Sequence, residues 1–488
     1  LTHENAILKR LKFAVKSEAY NAEQKSLLEE TLDADLAAVA AEIEAMDPST
    51  KAAGEKKVPK REKPPAHLPR REIRHEPEDT TCRTPGCGTP MQRIGEDVAE
   101  KLDYQPGVFT VERHIRGKWV CRCCSQRGEG RVVQAPVAPH VIDKGLPTTG
   151  LLAQVLVAKY LDHLPLYRQE AIFERAGHLI ARSTLAQWVG ECGVQLQPLV
   201  DALAAELLRQ PVLHADETPV AMLKPANLRD GKTHRAYLWS YCTTSFNPIQ
   251  AVVFDFADSR GGQHARSFLG LPGTPDKPGW QGKLVTDDFS GYKACFELGV
   301  TEVGCMAHAR RKFHELWANH GSAVGEQALK FFGELYDVER EIADADSQAR
   351  LEARRRRSRP VADALHQWMG QQRLKIPDGS ATARAIDYSL KRWVALTRYV
   401  DDGDLPIDNN WVENRIRPIA LGRQNWLFAG SLRAGKRAAA VMSLVHSAKL
   451  NGHDPYAYIR DVLQRLPTQP ASRIGELLPH RWQAIDPA

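Results

Sequence analysis

Three acidic residues far apart in the chain, Asp216, Asp287 and Glu413, stand where a fold can bring carboxylates together. Asp216 follows the apolar run Pro211-Val-Leu-His-Ala215, and Asp287 follows Gly282-Lys-Leu-Val-Thr286, so each is expected at the end of a short strand. Glu413 falls early in a helix that Asp408 is placed to cap, within Asp408-Asn-Asn-Trp-Val-Glu-Asn-Arg-Ile-Arg417. Converging carboxylates repel one another unless a cation lies between them. Hard oxygen ligands suit Mg²⁺ (or Mn²⁺), and two such ions roughly 3.5–4 Å apart can stabilise both the entering and the leaving oxygen of a phosphodiester. Arg417 lies one helical turn beyond Glu413, on the same face, where it can meet a phosphate. Spacing alone does not single out this set. Glu217 and Asp288 adjoin two of its members, and strand alternation chooses between neighbours only once the inward face is known.

A second constellation is Cys82-x4-Cys87 followed by Cys121-x2-Cys124. Two close pairs supply four thiolates, the soft ligand set of a tetrahedral, structural Zn²⁺. Gly86 and Gly88 permit a tight turn beside the metal. Cys123 competes with Cys124, which the usual knuckle spacing favours. A unit this small has little core, so a metal would supply much of its folding free energy.

The elements that must position these groups follow from pattern. Residues 1–47 read as a helical or coiled-coil segment. Leu8, Leu11 and Val15 keep a 3,4 spacing that Leu32, Leu36, Val39, Ile43 and Met46 resume, as a dimer zipper or as a helix packed on its own protein. Residues 48–74, rich in Lys, Arg and Pro, read as a mobile basic linker, and 75–128 as the zinc unit. Residues 129–205 are helical, and 166–190 allow a helix-turn-helix with Ser183 as a cap, although plain helical packing is favoured. Short β-branched runs at 212–214, 235–242, 249–256, 283–286 and 300–305 place a sheet within 206–308. A charged helical insertion spans 309–400, the Glu413 helix lies in 401–435, and 436–488 is helical. Arg354 to Arg357 reads as a solvated helix face.

Several long words in this order make the chain similar to the transposases of the insertion-sequence 66 family, over nearly its whole length. They are Leu164-Pro-Leu-Tyr-Arg-Gln169, His214-Ala-Asp-Glu-Thr218, Thr286-Asp-Asp-Phe-Ser-Gly-Tyr292, Gly304-Cys-Met-Ala-His-Ala-Arg-Arg-Lys-Phe313, Asp408 through Pro418, Gly422-Arg-Gln-Asn-Trp-Leu-Phe-Ala-Gly-Ser431 and Leu477-Leu-Pro-His-Arg-Trp482. The resemblance implies an α/β ribonuclease-H-like catalytic core with a helical insertion, carrying its Asp, Asp, Glu triad at Asp216, Asp287 and Glu413. It also implies an N-terminal helical/coiled-coil segment, a zinc-ribbon-like unit with ligands Cys82, Cys87, Cys121 and Cys124, and a helical C-terminal region. Two departures stand out: Asp288 replaces the family's usual Gly, leaving open which of Asp287 and Asp288 binds metal, and Trp411-Val412 replaces smaller residues. Cys305-x2-His308 is expected to position a strand end rather than bind metal, and Arg423 is a candidate DNA contact, with Trp426 more readily read as core.

The expected activity is Mg²⁺-dependent cleavage and transfer of DNA strands. The partners are the element's ends and target DNA, with a homo-oligomer handling two ends and accessory proteins encoded beside the transposase. A related nuclease and an inactive DNA-binding derivative are the competing readings. Over 488 residues the formal charge is +6, compatible with a polyanion. Nine cysteines, an odd count without a signal peptide, argue against a disulfide framework, and a cytoplasmic location is the expectation. No apolar run approaches the length of a membrane span.

Overall fold

The computed structural model describes residues 4–5, 22–46, 64–82, 87–105, 107–126, 132–142, 145–224, 233–274 and 277–484. The first zipper stretch (Leu8 to Val15), the linker up to residue 63 and Gly86 lie outside them.

Helix α1 (Ala22–Met46) is a single helix whose buried residues include Leu32, Ala34, Asp35, Ala38 and Val39, whereas Met46 is exposed. Four strands follow, β1 (Arg70–His75), β2 (Gln92–Gln105), β3 (Val108–Val120) and β4 (Val132–Gln134). β3 is parallel to β1 and antiparallel to β2 and β4. The basic linker expected to run to residue 74 therefore ends earlier. Arg70 and Arg71 bond Glu100 and Glu112 at 3.0 and 2.5 Å, because alternating polar residues suit an exposed edge strand with acidic neighbours.

Helices α2 (Thr149–Tyr160), α3 (Leu166–Arg175) and α4 (Arg182–Leu207) form a bundle on which α1 lies. A Cβ on Gly190 of α4 would come within 2.3 Å of the Ala34 carbonyl, so glycine permits this close approach. Buried charges lock α1 in place. Asp35 pairs with Arg437 at 3.0 Å, and Glu30 accepts from Lys159 and from the Leu166 amide. The buried side of α1 is thus used within its own chain, which is the packed-helix alternative rather than a zipper seam. Ser183 is not the cap of α4. Ala181 precedes the helix, and the Glu170 carboxylate accepts from the Arg182 amide at 2.8 Å. Leu185, Ala186, Trp188, Val189 and Cys192 bury the start of α4 as an ordinary core helix.

The central sheet contains β5 (Val212–Leu223), β6 (Thr233–Thr243), β7 (Val252–Ala257), β8 (Lys283–Val285) and β9 (Thr301–Val303). Their spatial order is β9-β8-β5-β6-β7. β5, β6 and β7 form an antiparallel meander, and β8 and β9 add in parallel on the other side of β5. Alternation divides the sheet between two cores. Leu213 and Leu284 join the one shared with α2 and α4, whereas Val212, Val285 and Val303 join the one beneath the insertion.

That insertion is built from α5 (Met306–His320), α6 (Ala323–Glu341), α7 (Arg359–Arg373) and α8 (Ala381–Lys391). The Arg354–Arg357 run within it is not simply a solvated face. Arg354 is fully buried, donates to Glu339 at 2.8 and 2.6 Å, and reaches the carbonyls of Tyr399, Asp402 and Leu405. A buried guanidinium is tolerable only with its fork of donors filled in this way. The chain returns to the sheet through α9 (Asn410–Trp426), α10 (Leu432–Leu450), which covers β7, and α11 (Pro455–Arg465). Among the described residues no helix is long and apolar enough to cross a membrane.

Candidate active site and metal centre

Asp216 does not end its strand, as the sequence suggested, but lies in the middle of β5, opposite Ser240 of β6. The stretch Asp-Glu-Thr-Pro reads as a turn, yet β8 pairs β5 only over Val212–His214. Past that point, and up to the bridge of Met222 to Ala429, one edge of β5 has no neighbouring strand among the described residues, which is where a strand accommodates a proline such as Pro219. Asp287 lies two residues beyond β8, and its Oδ1 accepts from the Phe289 amide at 2.9 Å, an Asx turn that fixes the loop. Glu413 lies in the first turn of α9.

Topology brings the three into one field. Burial pushes the Asp216 carboxyl well above the usual carboxylate range, and the charge of Glu217 next to it, then those of Asp287 and Glu413, push the same way. Glu413 Oε1 is buried with no hydrogen-bond partner; His308 Nδ1, on an imidazole whose pKa burial lowers, lies 3.8 Å from it, and the Arg311 guanidinium lies 3.8 Å from Oε2. An aspartate desolvated in the field of two further carboxylates, one with a buried oxygen that has no hydrogen-bond partner, is costly to keep ionised.

The rival carboxylates have other partners. Glu217 accepts from the Tyr292 hydroxyl at 2.7 Å and from Arg260 Nε at 2.8 Å. Asp288 faces Arg392 at 3.5 Å. Sequence reasoning missed Arg260, Arg392 and Arg311. The basic word Ala309-Arg-Arg-Lys312 held the signal for the last, but only the start of α5 at Met306 places it beside Glu413.

Asn409 was also missed, and it holds the parts in register. Its Nδ2 donates to the carbonyl of Ala215, the residue before Asp216, at 2.9 Å. Its Oδ1 therefore faces His214 Nδ1 at 2.8 Å, so that nitrogen carries the proton of an imidazole whose pKa burial lowers to about 4. The Asn409 amide donates to Cys305 Sγ at 3.2 Å, and its carbonyl accepts from the Glu413 amide at 3.3 Å. One buried residue thus connects β5, the end of β9 and the Glu413 helix. Cys305 also contacts His308 Nδ1 at 3.1 Å, so the Cys305-x2-His308 pair positions a strand end.

Of the basic candidates, Arg417 is exposed one turn beyond Glu413. Arg423 Nη1 bonds the Pro219 carbonyl and Thr218 Oγ1, which ties α9 to β5. Trp426 is partly buried, with Nε1 3.4 Å from His163 Nδ1.

The sulfurs of Cys82, Cys87, Cys121 and Cys124 all lie within 4.8 Å of one another, and among the described residues they are the group of ligand atoms that closes this tightly. Cys82–Cys124 and Cys87–Cys121 separations are 3.3 and 3.7 Å. Tetrahedral Zn–S bonds of about 2.3 Å imply sulfurs about 3.8 Å apart, so the cluster fits that ion. The Thr89 hydroxyl, first among several hydrogen bonds, lowers the Cys121 thiol to about 6, favouring the thiolate a metal requires. Cys124 is buried and Cys123 exposed, so the pocket takes the former.

Comparison with known proteins bears on the family of the chain and on the cysteine unit. Residues 144–437 match the family described as Transposase IS66 family. The chain belongs to the IS66 transposases. Three further regions of this transposase match parts of the same system: the IS66 C-terminal element over 443–480, the zinc-finger binding domain of transposase IS66 over 79–125, and the Transposase C of IS166 homeodomain over 1–73. Among similar proteins of Sinorhizobium fredii, y4qI is 36% identical over 99% of this chain and 89% of its own length. The protein y4jD is 35% identical over 86% and 81%, and y4hP 33% over 89% and 79%; all three bear the description uncharacterized protein. The zinc-finger match and the four-sulfur cluster together support a structural zinc, and DNA is the partner these domains indicate.

Proposed function

We propose that this transposase cuts and joins DNA strands with Asp216, Asp287 and Glu413 as the ligands of Mg²⁺ (or Mn²⁺). The reading rests on one observation above others. Asp216 is desolvated on a central strand, in the electrostatic field of two carboxylates that arrive from 71 (287 − 216) and 197 (413 − 216) residues away. The β9-β8-β5-β6-β7 order, three antiparallel strands followed outward by two parallel ones, supports a ribonuclease-H-like core. Asp287 is preferred to Asp288 because it is the neighbour whose charge reaches Asp216, while Asp288 faces Arg392.

When bound, the divalent ions supply charge neutralisation for the entering and leaving oxygens and make a water or 3′-hydroxyl more acidic. The protein's own part is positional. β5 presents Asp216, the Asx turn presents Asp287, and Asn409 holds α9 so that Glu413 faces both. In the first reaction water attacks the phosphorus at an element end and a 3′-hydroxyl leaves. In the second that hydroxyl attacks a target phosphodiester, forming one P–O bond as another breaks. Arg417 is placed to meet a phosphate. Two ends must react together, so a homo-oligomer is proposed, with accessory proteins of the same element as further partners.

The test is a strand-transfer assay with labelled duplexes carrying the element's terminal repeats, a plasmid target and Mg²⁺. Joined products that disappear with EDTA are the expected result. Cleavage products that never join would assign a nuclease, and binding without any cleavage a DNA-occupying derivative. Asn409→Ala gives a further expectation. Misplacement of a catalytic group by about 1 Å costs about 10²-fold, so turnover should fall by about that factor while duplex affinity in Ca²⁺ stays unchanged. Equal losses in turnover and affinity would show that Asn409 does not act through Glu413.

A further inference from the structure

Several arginines of the insertion and the C-terminal region are neutralised by carboxylates. Arg354 pairs with Glu339, Arg357 with Glu341, Arg359 with Asp401 and Arg473 with Glu476. The N-terminal half of α5 departs from this pattern. Arg310 is exposed and has no carboxylate partner among the described residues, and Lys312 has only the Tyr388 ring, 4.4 Å from its Nζ. Arg311 between them is half-exposed and, among the described residues, its carboxylate contact is Glu413, at 3.8 Å.

These side chains line two open clefts that share Arg311. One holds Asp287, Asp288, Arg311, Lys312 and Tyr388, with Glu315 as a further acid at its rim. The other runs between α5 and α6, past Arg310, Arg311, His314 and Arg340, to Asn410 at the start of the Glu413 helix. Arg340 is itself paired with Asp337, so Arg310 and Lys312 carry the uncompensated charge. Two residues apart on a helix, Arg310 and Lys312 project from nearly opposite sides of α5, one into each cleft, so a phosphate in either cleft meets a cation without a carboxylate partner among the described residues. Their position also bears on what the anion is. A strand whose phosphodiester sits at the carboxylates must approach and leave past α5, because Arg311 adjoins Glu413 and Lys312 shares a cleft with Asp287.

We infer that Arg310 and Lys312 form a phosphate track, which seats the DNA backbone on either side of the reacting phosphodiester and makes the insertion part of the DNA-binding surface. The inference rests on the carboxylate site proposed above, but its test is separate. Affinity for a short DNA duplex is measured by fluorescence anisotropy in Ca²⁺ across a salt series, for the full chain, for Arg310→Ala/Lys312→Ala and for Arg356→Ala, an exposed arginine outside both clefts. Each lost phosphate contact lowers the slope of log K against log salt by about 0.9. The double variant should therefore lose about 1.8 in slope, and affinity at 0.1 M salt should fall on the order of tens-fold. Arg356→Ala should match the parent.

Melting of each variant checks that it is folded. An unchanged slope in a folded double variant overturns the inference, as does an equal loss in Arg356→Ala, which would make the effect one of general charge. Asp216→Asn, measured in parallel, should keep the parent slope. If it abolishes cleavage while the double variant binds like the parent, the carboxylate site stands and the track falls. If it cleaves normally, the carboxylate reading falls whatever the slopes show.

Discussion

Asp216→Asn is expected to abolish strand cleavage and, in the absence of metal, to raise the melting temperature. Both effects have one cause. Burial, then Glu217, Asp287 and Glu413, raise the folded-state pKa of Asp216 above that of the unfolded chain. The ionised carboxylate is therefore a cost to folding, present in full above the folded pKa and gone below the ordinary carboxylate range. Asparagine keeps the shape and removes the charge. The variant should melt about 2 °C or more above the metal-free parent at neutral pH, with the difference shrinking as pH falls. Mg²⁺ should then raise the melting temperature of the parent and not that of the variant. A metal-centred stabilisation worth several kcal/mol in the transition state corresponds to about 10³-fold or more in rate. A variant that retains cleavage, or that melts lower and still responds to Mg²⁺ like the parent, would remove Asp216 from the site.

Burial also decides which parts of this site are legible in the sequence. Apolar runs marked the sheet because Val212, Leu213, Leu284, Val285 and Val303 face two cores and must be apolar on both sides. The same rule hid the length of β5. Between His214 and the bridge of Met222 to Ala429, no described residue pairs with the second edge of the strand, so it carries Asp216, Glu217 and Pro219, residues that otherwise signal a turn. Asn409 was invisible for a related reason. Its role depends on contacts with Ala215 and Cys305, 194 and 104 residues away, which no local spacing records. Arg354 read as a solvated charge because its partner Glu339 and the three carbonyls around it come from other elements. The helix α1 left two readings open. Its 3,4 spacing is real, but Asp35 and Glu30 are buried with it, and a polar residue on the packed side of a helix is visible only once Arg437 and Lys159 are known to face it. The cysteines were easiest, since a metal's ligand set is local enough to leave paired spacings.

Removal of that metal should unravel one end of a hairpin and spare the other. β2 and β3 pair along their whole length, but their two ends are held differently. At the turn end, Leu102, Phe109 and Val111 join the main core. There Phe109 meets Phe173 edge-on at 5.5 Å, and the Leu102 amide and carbonyl are bonded to Leu146 and Thr148. At the far end the apolar cluster consists of Cys82, Cys121 and Cys124 with Cys87 and Met91 packed on it, too few residues to order a sheet without an ion. A structural zinc contributes about 10 kcal/mol or more to such a unit. Hydrogen exchange after chelation should therefore accelerate by orders of magnitude at residues 92–98 and 115–124, while 100–111 keep their protection. Cys121→Ser should lose the zinc measured by elemental analysis of the purified protein. Cys123→Ser, at the exposed neighbour, should retain it. Uniform exchange along the hairpin after chelation would mean that the metal stabilises the whole sheet. Zinc retained in Cys121→Ser would mean that the four sulfurs are not its ligands.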